Sequence, residues 1–178
     1  MRPFMLVTLA GALALPAGVS AQDSGPYLGG AFGQARFTEW CSPGPGITAC
    51  EDTDTAWKLF GGYRFNRNVA VEAIYANWGT VTGTVNAINA SAKQTSMGIA
   101  AVGSFDLGPD FSLFGKLGFL MTEQETRATS TTQREETELH YGLGVRYRFG
   151  ANWAARAEWE RTEKLKVQLL SIGAEYRF

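Results

Sequence analysis

The chain has 178 residues, of which 45% are hydrophobic and 19% charged, and its formal net charge is -1. This length fits one domain behind an N-terminal targeting segment. The balance of 16 basic against 17 acidic side chains argues against an extended nucleic-acid-binding surface, so no nucleic-acid partner is expected.

The N-terminal segment has the features of a secretory signal. Arg2 precedes an apolar run over 4–17, and a stretch of small residues ends at Ala21. A basic residue, a short apolar run and a small-residue cleavage site are typical of a signal peptide, whereas a membrane-spanning helix needs a longer run. We therefore predict a signal peptide over residues 1–21 and one domain over 22–178.

The two cysteines bracket a Pro-Gly-rich stretch, CSPGPGITAC, from Cys41 to Cys50. In an exported chain such a pair predicts a disulfide that closes a loop. A zinc site would need more soft ligands than these two cysteines and His140, the only histidine, provide. We expect no metal site and no cofactor.

Strand-like segments then follow one another with little helical pattern between them. In each segment the side chains alternate in character with a period of two, as in the final stretch LLSIGAEYRF, which is typical of a β-strand with two different faces. The eight segments are 27–37, 55–65, 69–78, 94–107, 111–121, 137–149, 153–161 and 167–178.

The connections between these segments alternate in length. Three of them are tight turns rich in Gly, Asn, Asp and Pro: 66–68, 108–110 and 150–152. The others are predicted loops, mostly longer and more polar: 38–54, 79–93, 122–136 and the short 162–166. One end of the molecule should therefore carry short turns and the other end long loops.

One face of the segments is almost wholly apolar, with side chains such as Leu59, Val71, Leu117, Phe119 and Leu143. For segment 94–107 the sequence does not identify which face is the apolar one, because the side chains on both faces are apolar or small. The other face gathers charges of both signs: Gln34, Arg36, Lys58, Arg64, Glu72, Lys116, Glu138, His140, Arg146, Arg148, Arg156, Glu158, Glu160, Glu175 and Arg177.

Two architectures suit eight such segments. A soluble lipocalin-like barrel would turn its apolar face inward, and an outer-membrane barrel would turn it toward lipid. Aromatic side chains cluster at segment ends beside the tight turns, the segments are near ten residues long, and the long loops share one end, all of which favour lipid. We predict an all-β fold, an eight-stranded antiparallel up-and-down transmembrane β-barrel.

The ending AEYRF and the segments DTAWKLFGGYRFNRNVAVEAIYANWG and FSLFGKLGF resemble the OmpA/OmpX-type family of small eight-stranded outer-membrane β-barrels. The resemblance covers nearly all of 22–178. It implies a monomer in the outer membrane of a Gram-negative bacterium, in contact with outer-membrane lipid. It also implies that Tyr176 and Phe178, the aromatic side chains at the end of the last strand, form part of the signal read by the barrel-assembly machinery.

The interior of an eight-stranded barrel is just wide enough for side chains to fill it, and charges buried there must pair. We expect the interior charge network to comprise Lys58, Glu72, Lys116, Arg146, Arg156, Glu158 and Glu175. Two interpretations stay open. The network is either an ionic core that holds the barrel shut or the gate of a narrow, porin-like ion path.

An enzyme is the alternative from a different class, because some eight-stranded outer-membrane barrels modify lipid A. The deacylase type needs a His and a Ser two residues apart on a lipid-facing strand. Position 142 is Gly, and His140 belongs to the inward face, so we predict no catalytic residues and no enzymatic activity. We assign specific recognition to the external loops, whose ligand the sequence does not name.

Overall fold

The computed structural model describes residues 24–37, 47–51, 53–85, 88–127, 131–164 and 166–178. Within these ranges no helix is long and apolar enough to cross a membrane. The predicted signal peptide and Cys41 lie outside the described residues, as does the side chain of Cys50, so the disulfide stays a prediction. The strands are β1 Gly25–Phe37, β2 Ile47–Glu51, β3 Thr53–Arg64, β4 Val69–Val85, β5 Ile88–Asp106, β6 Phe111–Arg127, β7 Thr131–Arg148, β8 Trp153–Thr162 and β9 Val167–Arg177.

Eight of these strands close into an antiparallel barrel, which confirms the predicted fold. Each pairs with its neighbour in the order β1, β3, β4, β5, β6, β7, β8, β9. The ring closes where β9 pairs with β1, as in Leu28 opposite Tyr176. The short β2 pairs only with the far end of β4, where Glu51 lies opposite Thr82, and extends the sheet beyond the ring.

The strands at one end are longer than predicted, so the prediction of loops over 79–93 and 122–136 is wrong in large part. The β4–β5 ladder continues to the pair Val85 and Ile88, and the β6–β7 ladder to Arg127 and Thr131. Both stretches contain several threonines, and 79–93 also has two valines, residue types that favour strands. They lack the strongly apolar face by which the spanning segments were identified. The strand β2 also lies inside the predicted loop 38–54.

The predicted division into faces is confirmed for most strands. Large apolar side chains on the outside, including Leu117, Phe119 and Leu143, are more than half exposed, whereas alternate positions are buried. In β5 the open choice is now resolved: Met97 and Ile99 face outward, and the other set faces the lumen. The barrel therefore has an apolar exterior and a polar interior, opposite to a soluble barrel.

Strand β1 departs from this prediction. Gln34 and Arg36 were expected to face inward, but both are exposed and share the outer face with Phe32. The inward positions near this end hold Ala35 and Phe37, which are fully buried. The prediction was wrong because a charge marks the lumen only within the apolar belt. Near the end of a strand, polar side chains can face outward into the interfacial region.

Aromatic side chains encircle the short-turn end. Outward-facing rings meet edge to face, with centroids 5.0 Å apart for Trp153 and Tyr176, 5.1 Å for Tyr176 and Phe178, and 5.4 Å for Tyr63 and Phe65. Such rings suit a membrane–water interface because one side of this environment is apolar and the other is wet. The structure thus confirms the aromatic clustering expected at this end.

Candidate functional site

The candidate site is the set of ionisable side chains that meet inside the barrel. Each comes from an inward position of its strand, and because side chains alternate, each is flanked in sequence by outward residues. All the members are 4% exposed or less. They are Lys58 on β3, Glu72 on β4, Lys116 on β6, Arg146 on β7, Arg156, Glu158 and Glu160 on β8, and Glu175 on β9.

Glu72 lies at the centre of the half nearer the short turns. Its carboxylate accepts hydrogen bonds from Tyr27 Oη at 3.1 Å, Lys116 Nζ at 2.9 Å and Arg156 Nη1 at 2.9 Å. Arg156 Nη1 also donates to Glu175 Oε2 at 3.1 Å. One carboxylate is thus held by three donors from three different strands.

The other half of the network is built on the two lysines. Lys116 Nζ lies 2.6 Å from Glu158 Oε2 and 3.1 Å from Glu160 Oε1. Lys58 Nζ donates to Glu158 Oε2 at 2.8 Å and also to Glu160. His140 Nε2 is 3.1 Å from Glu160 Oε1. Each lysine therefore bridges both carboxylates of β8.

Two phenylalanine rings complete this packing. The Arg156 guanidinium carbon lies 4.2 Å from the ring centroid of Phe60 and 4.5 Å from that of Phe114, within cation–π range. The rings fit because glycines face them: a Cβ at Gly29 would lie 2.3 Å from Phe60, and one at Gly144 would lie 2.4 Å from Phe114. These glycines provide the space that the aromatic rings occupy.

A chain of side-chain hydrogen bonds that ends on Glu138 lies above the ion-pair network, toward the end with long hairpins. Trp78 Nε1 donates to Ser96 Oγ at 2.7 Å, and Thr122 Oγ1 donates to Glu138 Oε1 at 2.7 Å. The hydroxyls of Ser96 and Thr122 are 2.6 Å apart and join the two pairs. This chain was not predicted from the sequence, because the predicted segment 111–121 ended at Met121 and residue 122 was the first of a predicted loop.

The structure brings all seven residues of the predicted network together. It adds Tyr27, Arg64, His140 and Glu160; the last three were on the predicted charged face but outside the predicted network. Tyr27 was not predicted to face the lumen. It lies on the same face of β1 as the small residue Ala31, and this alternation could have placed it inside. Tyr176 and Phe178 lie in the aromatic girdle and not in the lumen.

The arrangement holds charged groups at fixed positions in the lumen. In the described part of the chain, no group of three or more His, Cys, Asp or Glu side chains is placed to hold a metal ion. The shared carboxylates cross-link strands that are distant around the ring, as Lys58 and Glu158 do between β3 and β8. Such a cluster can block the lumen with its side chains, or its charged groups can exchange ion-pair partners.

Solved barrels share this architecture. The Yersinia pestis attachment invasion locus protein Ail, solved with the heparin analogue sucrose octasulfate, is 22% identical over 88% of this chain and 99% of its own, with a TM-score of 0.60. The Pseudomonas aeruginosa outer membrane protein OprG is 14% identical over 90% and 100%, with a TM-score of 0.64. At these identities the likeness concerns the fold.

Neisserial surface protein A gives a third comparison, with 16% identity over 87% of this chain and 98% of its own and a TM-score of 0.63. No curated protein sequence matches the chain significantly. The family model for the outer membrane protein beta-barrel domain matches residues 5–178. This match covers almost the whole chain, including every described strand.

Proposed function

Because the chain belongs to the outer membrane protein beta-barrel domain family, we propose that it is a non-enzymatic structural and surface protein of the bacterial outer membrane. In this proposal the lumen is closed by ion pairs, and the hairpins at the outer end meet external ligands. The barrel acts as a monomeric anchor in lipid. Family barrels carry short periplasmic turns and longer external loops, so we assign the aromatic short-turn end to the periplasm.

The observation that carries this proposal is the filling of the lumen. Lys58, Lys116 and Arg156 extend from three strands into the barrel centre, and all are almost fully buried. Their carboxylate partners are buried too, so charge and bulk occupy the width that an ion would need. An eight-stranded interior is only wide enough for side chains, so a closed ionic core is the state we propose.

Single-channel recording of the refolded protein in a planar bilayer tests this proposal. We expect the wild type to be silent, together with Glu72→Gln and with Glu163→Gln, a matched control in the exposed β8–β9 turn. Circular dichroism and resistance to protease must first establish that each variant is a folded barrel. Discrete openings in the wild type would contradict the closed core.

A narrow ion path is the second candidate, and one observation favours it. Lys116 reaches three carboxylates, Glu72, Glu158 and Glu160, within 3.1 Å. A cation with several partners can transfer between them without ever being left unpaired, which lowers the cost of opening a path. In that case we expect discrete wild-type openings that Glu72→Gln alters and Glu163→Gln leaves unchanged.

The surface role rests on the strands that continue past the apolar belt. Beyond the outward-facing Met97 and Met121, the β4–β5 and β6–β7 hairpins continue in mainly polar sequence. A paired sheet that projects from the membrane is already ordered, so it loses little conformational entropy when it binds a ligand. Attachment is a property of Ail itself, and only the architecture of the outer end supports such a role here.

Shortening the β6–β7 hairpin tests the surface role. Glu123 pairs with Glu135, so an Asn-Gly turn in place of residues 124–134 would form a two-residue hairpin in register. We expect unchanged barrel stability but reduced attachment of expressing cells to immobilised extracellular-matrix polymers. Equal attachment by the shortened and full-length proteins would show that this hairpin is not the interaction surface.

A further inference from the structure

The periplasmic end of the lumen opens into a concavity of about 730 Å³. Its walls come from three short turns and the end of β9. Arg67 lies in the β3–β4 turn, Asp110 in the β5–β6 turn and Gly150 in the β7–β8 turn, and Arg177 lies on β9. We call this concavity the periplasmic mouth. Its opening lies outside the central ion-pair network, whose members Arg146 and Glu175 form part of its floor.

The lining of the periplasmic mouth is rich in arginine. Arg67, Arg148 and Arg177 line its opening, and a deeper, connected recess adds Arg64 and Arg146. Among the described residues, the side-chain carboxylates that line these two spaces are those of Asp106 and Asp110. The guanidinium groups therefore outnumber the carboxylates of the lining.

The floor of the mouth leaves much of this positive charge in place. Arg64 Nη2 is 3.0 Å from Glu175 Oε1, and Arg146 Nε is 3.3 Å from Glu175 Oε2. Glu175 also accepts a hydrogen bond from Arg156 at 3.1 Å. Arg156 also pairs with Glu72 and Glu158, so Glu175 serves mainly Arg64 and Arg146, and one carboxylate cannot neutralise both. The field in the mouth consequently attracts anions.

Anchoring to the surrounding lipid does not explain these arginines. Arg64, Arg146, Arg148 and Arg177 occupy inward positions of their strands, whereas the neighbouring Tyr147 faces outward and is 52% exposed. The rim ion pair is also weak: Arg148 Nε is 4.0 Å from Asp110 Oδ1, and both side chains are solvent-exposed. Arg148 can therefore turn to a ligand in the mouth at little cost.

We propose that the periplasmic mouth binds a small multivalent oxyanion of the phosphate type. Guanidinium groups present several N–H donors in a planar fork that matches phosphate oxygens. Arg148 and Arg177 at the opening make the first contacts, and the buried arginines of the floor supply the field. The phosphate group belongs either to a free periplasmic anion or to the head group of a lipid that reaches the rim.

The test uses the full chain refolded in zwitterionic detergent and inorganic pyrophosphate as the probe. Isothermal titration and thermal unfolding compare the wild type with Arg148→Gln/Arg177→Gln and with Arg36→Gln, a control that removes one arginine from the outer face of β1. We expect pyrophosphate to bind and to raise the unfolding temperature of the wild type and of Arg36→Gln. In the double variant we expect binding to be at least tenfold weaker.

Sodium chloride at matched ionic strength distinguishes binding at a specific site from the general screening of charges by salt. The proposal is overturned if chloride reproduces the rise in unfolding temperature, or if the double variant binds pyrophosphate as tightly as the wild type. Nanodiscs then identify the source of the phosphate group. Weaker pyrophosphate binding in discs that contain phosphatidic acid than in pure phosphatidylcholine assigns the site to a lipid head group, and equal binding assigns it to a soluble anion.

Discussion

Glu72 shows what a single side chain contributes to this barrel. Its carboxylate is completely buried between Lys116 and Arg156. Moving charges out of water is costly, so the intact cluster is weak evidence for high stability. Removing Glu72 has a different consequence, because Lys116 and Arg156 then share one carboxylate fewer and the buried cluster carries an uncompensated positive charge.

We therefore expect Glu72→Leu to lower the free energy of unfolding by about 3–5 kcal/mol. Urea-induced unfolding in detergent micelles, followed by tryptophan fluorescence, measures this loss. Glu163→Leu, at an exposed turn position, provides the control and should change the free energy by less than about 0.5 kcal/mol. Equal stability of the two variants would contradict the placement of Glu72 in the lumen.

Leu117, on the outer face, tests the contact of the barrel with lipid. It is 57% exposed and lies in the middle of the apolar stretch of β6. We expect Leu117→Arg to cost about 2–4 kcal/mol in lipid, because an outward charge near the midplane must leave water. Leu107→Arg, in the short β5–β6 turn, should cost about 0–1 kcal/mol. Reversible unfolding in phospholipid vesicles compares the two, and a similar cost for both would refute the lipid-facing assignment.

At the scale of elements, the contact between β5 and β6 depends on glycine. A methyl group at Gly118 would lie 2.0 Å from the Ile99 carbonyl oxygen and 2.6 Å from the Ala100 Cα atom. Because both neighbours belong to the backbone, only a shift of the strand could make room. Gly103, on β5, has no atom within 4 Å of the corresponding position.

We accordingly expect Gly118→Ala to destabilise the barrel by about 1–3 kcal/mol through overpacking. Gly103→Ala should be neutral or stabilise by up to about 1 kcal/mol, because it only restricts the unfolded chain. Thermal unfolding of both variants in the same detergent gives the comparison. A Gly118→Ala protein as stable as the wild type would mean that the two strands are not so closely apposed.

The orientation of the whole molecule follows from the unequal ends of the barrel. The β6–β7 hairpin should be outside the cell, and the β5–β6 turn over 107–110 should face the periplasm. We expect an epitope inserted between β6 and β7 to be detected on intact cells. An epitope in the 107–110 turn should be detected only after the outer membrane is permeabilised. The reverse labelling pattern would invert the assigned topology.

The spanning part of the barrel was accessible from the sequence because lipid and lumen are chemically opposite and a strand presents them with alternate side chains. That contrast placed Leu117 outside and Lys116 inside. It did not extend to the strand ends, where Arg36 faces outward and Thr122 continues β6. Outside the apolar belt both faces meet polar surroundings, so alternation no longer identifies a strand or its inner side.

The sequence by itself therefore determined the fold class, the apolar and polar faces of most strands, and the identity of seven interior charges. Only the tertiary structure decided which charges meet. Lys58 and Glu158 are 100 positions apart and belong to β3 and β8, yet their side chains lie 2.8 Å apart. The stagger of neighbouring ladders sets the height of each side chain in the lumen. This stagger is a property of the closed ring, and no local pattern in the chain encodes it.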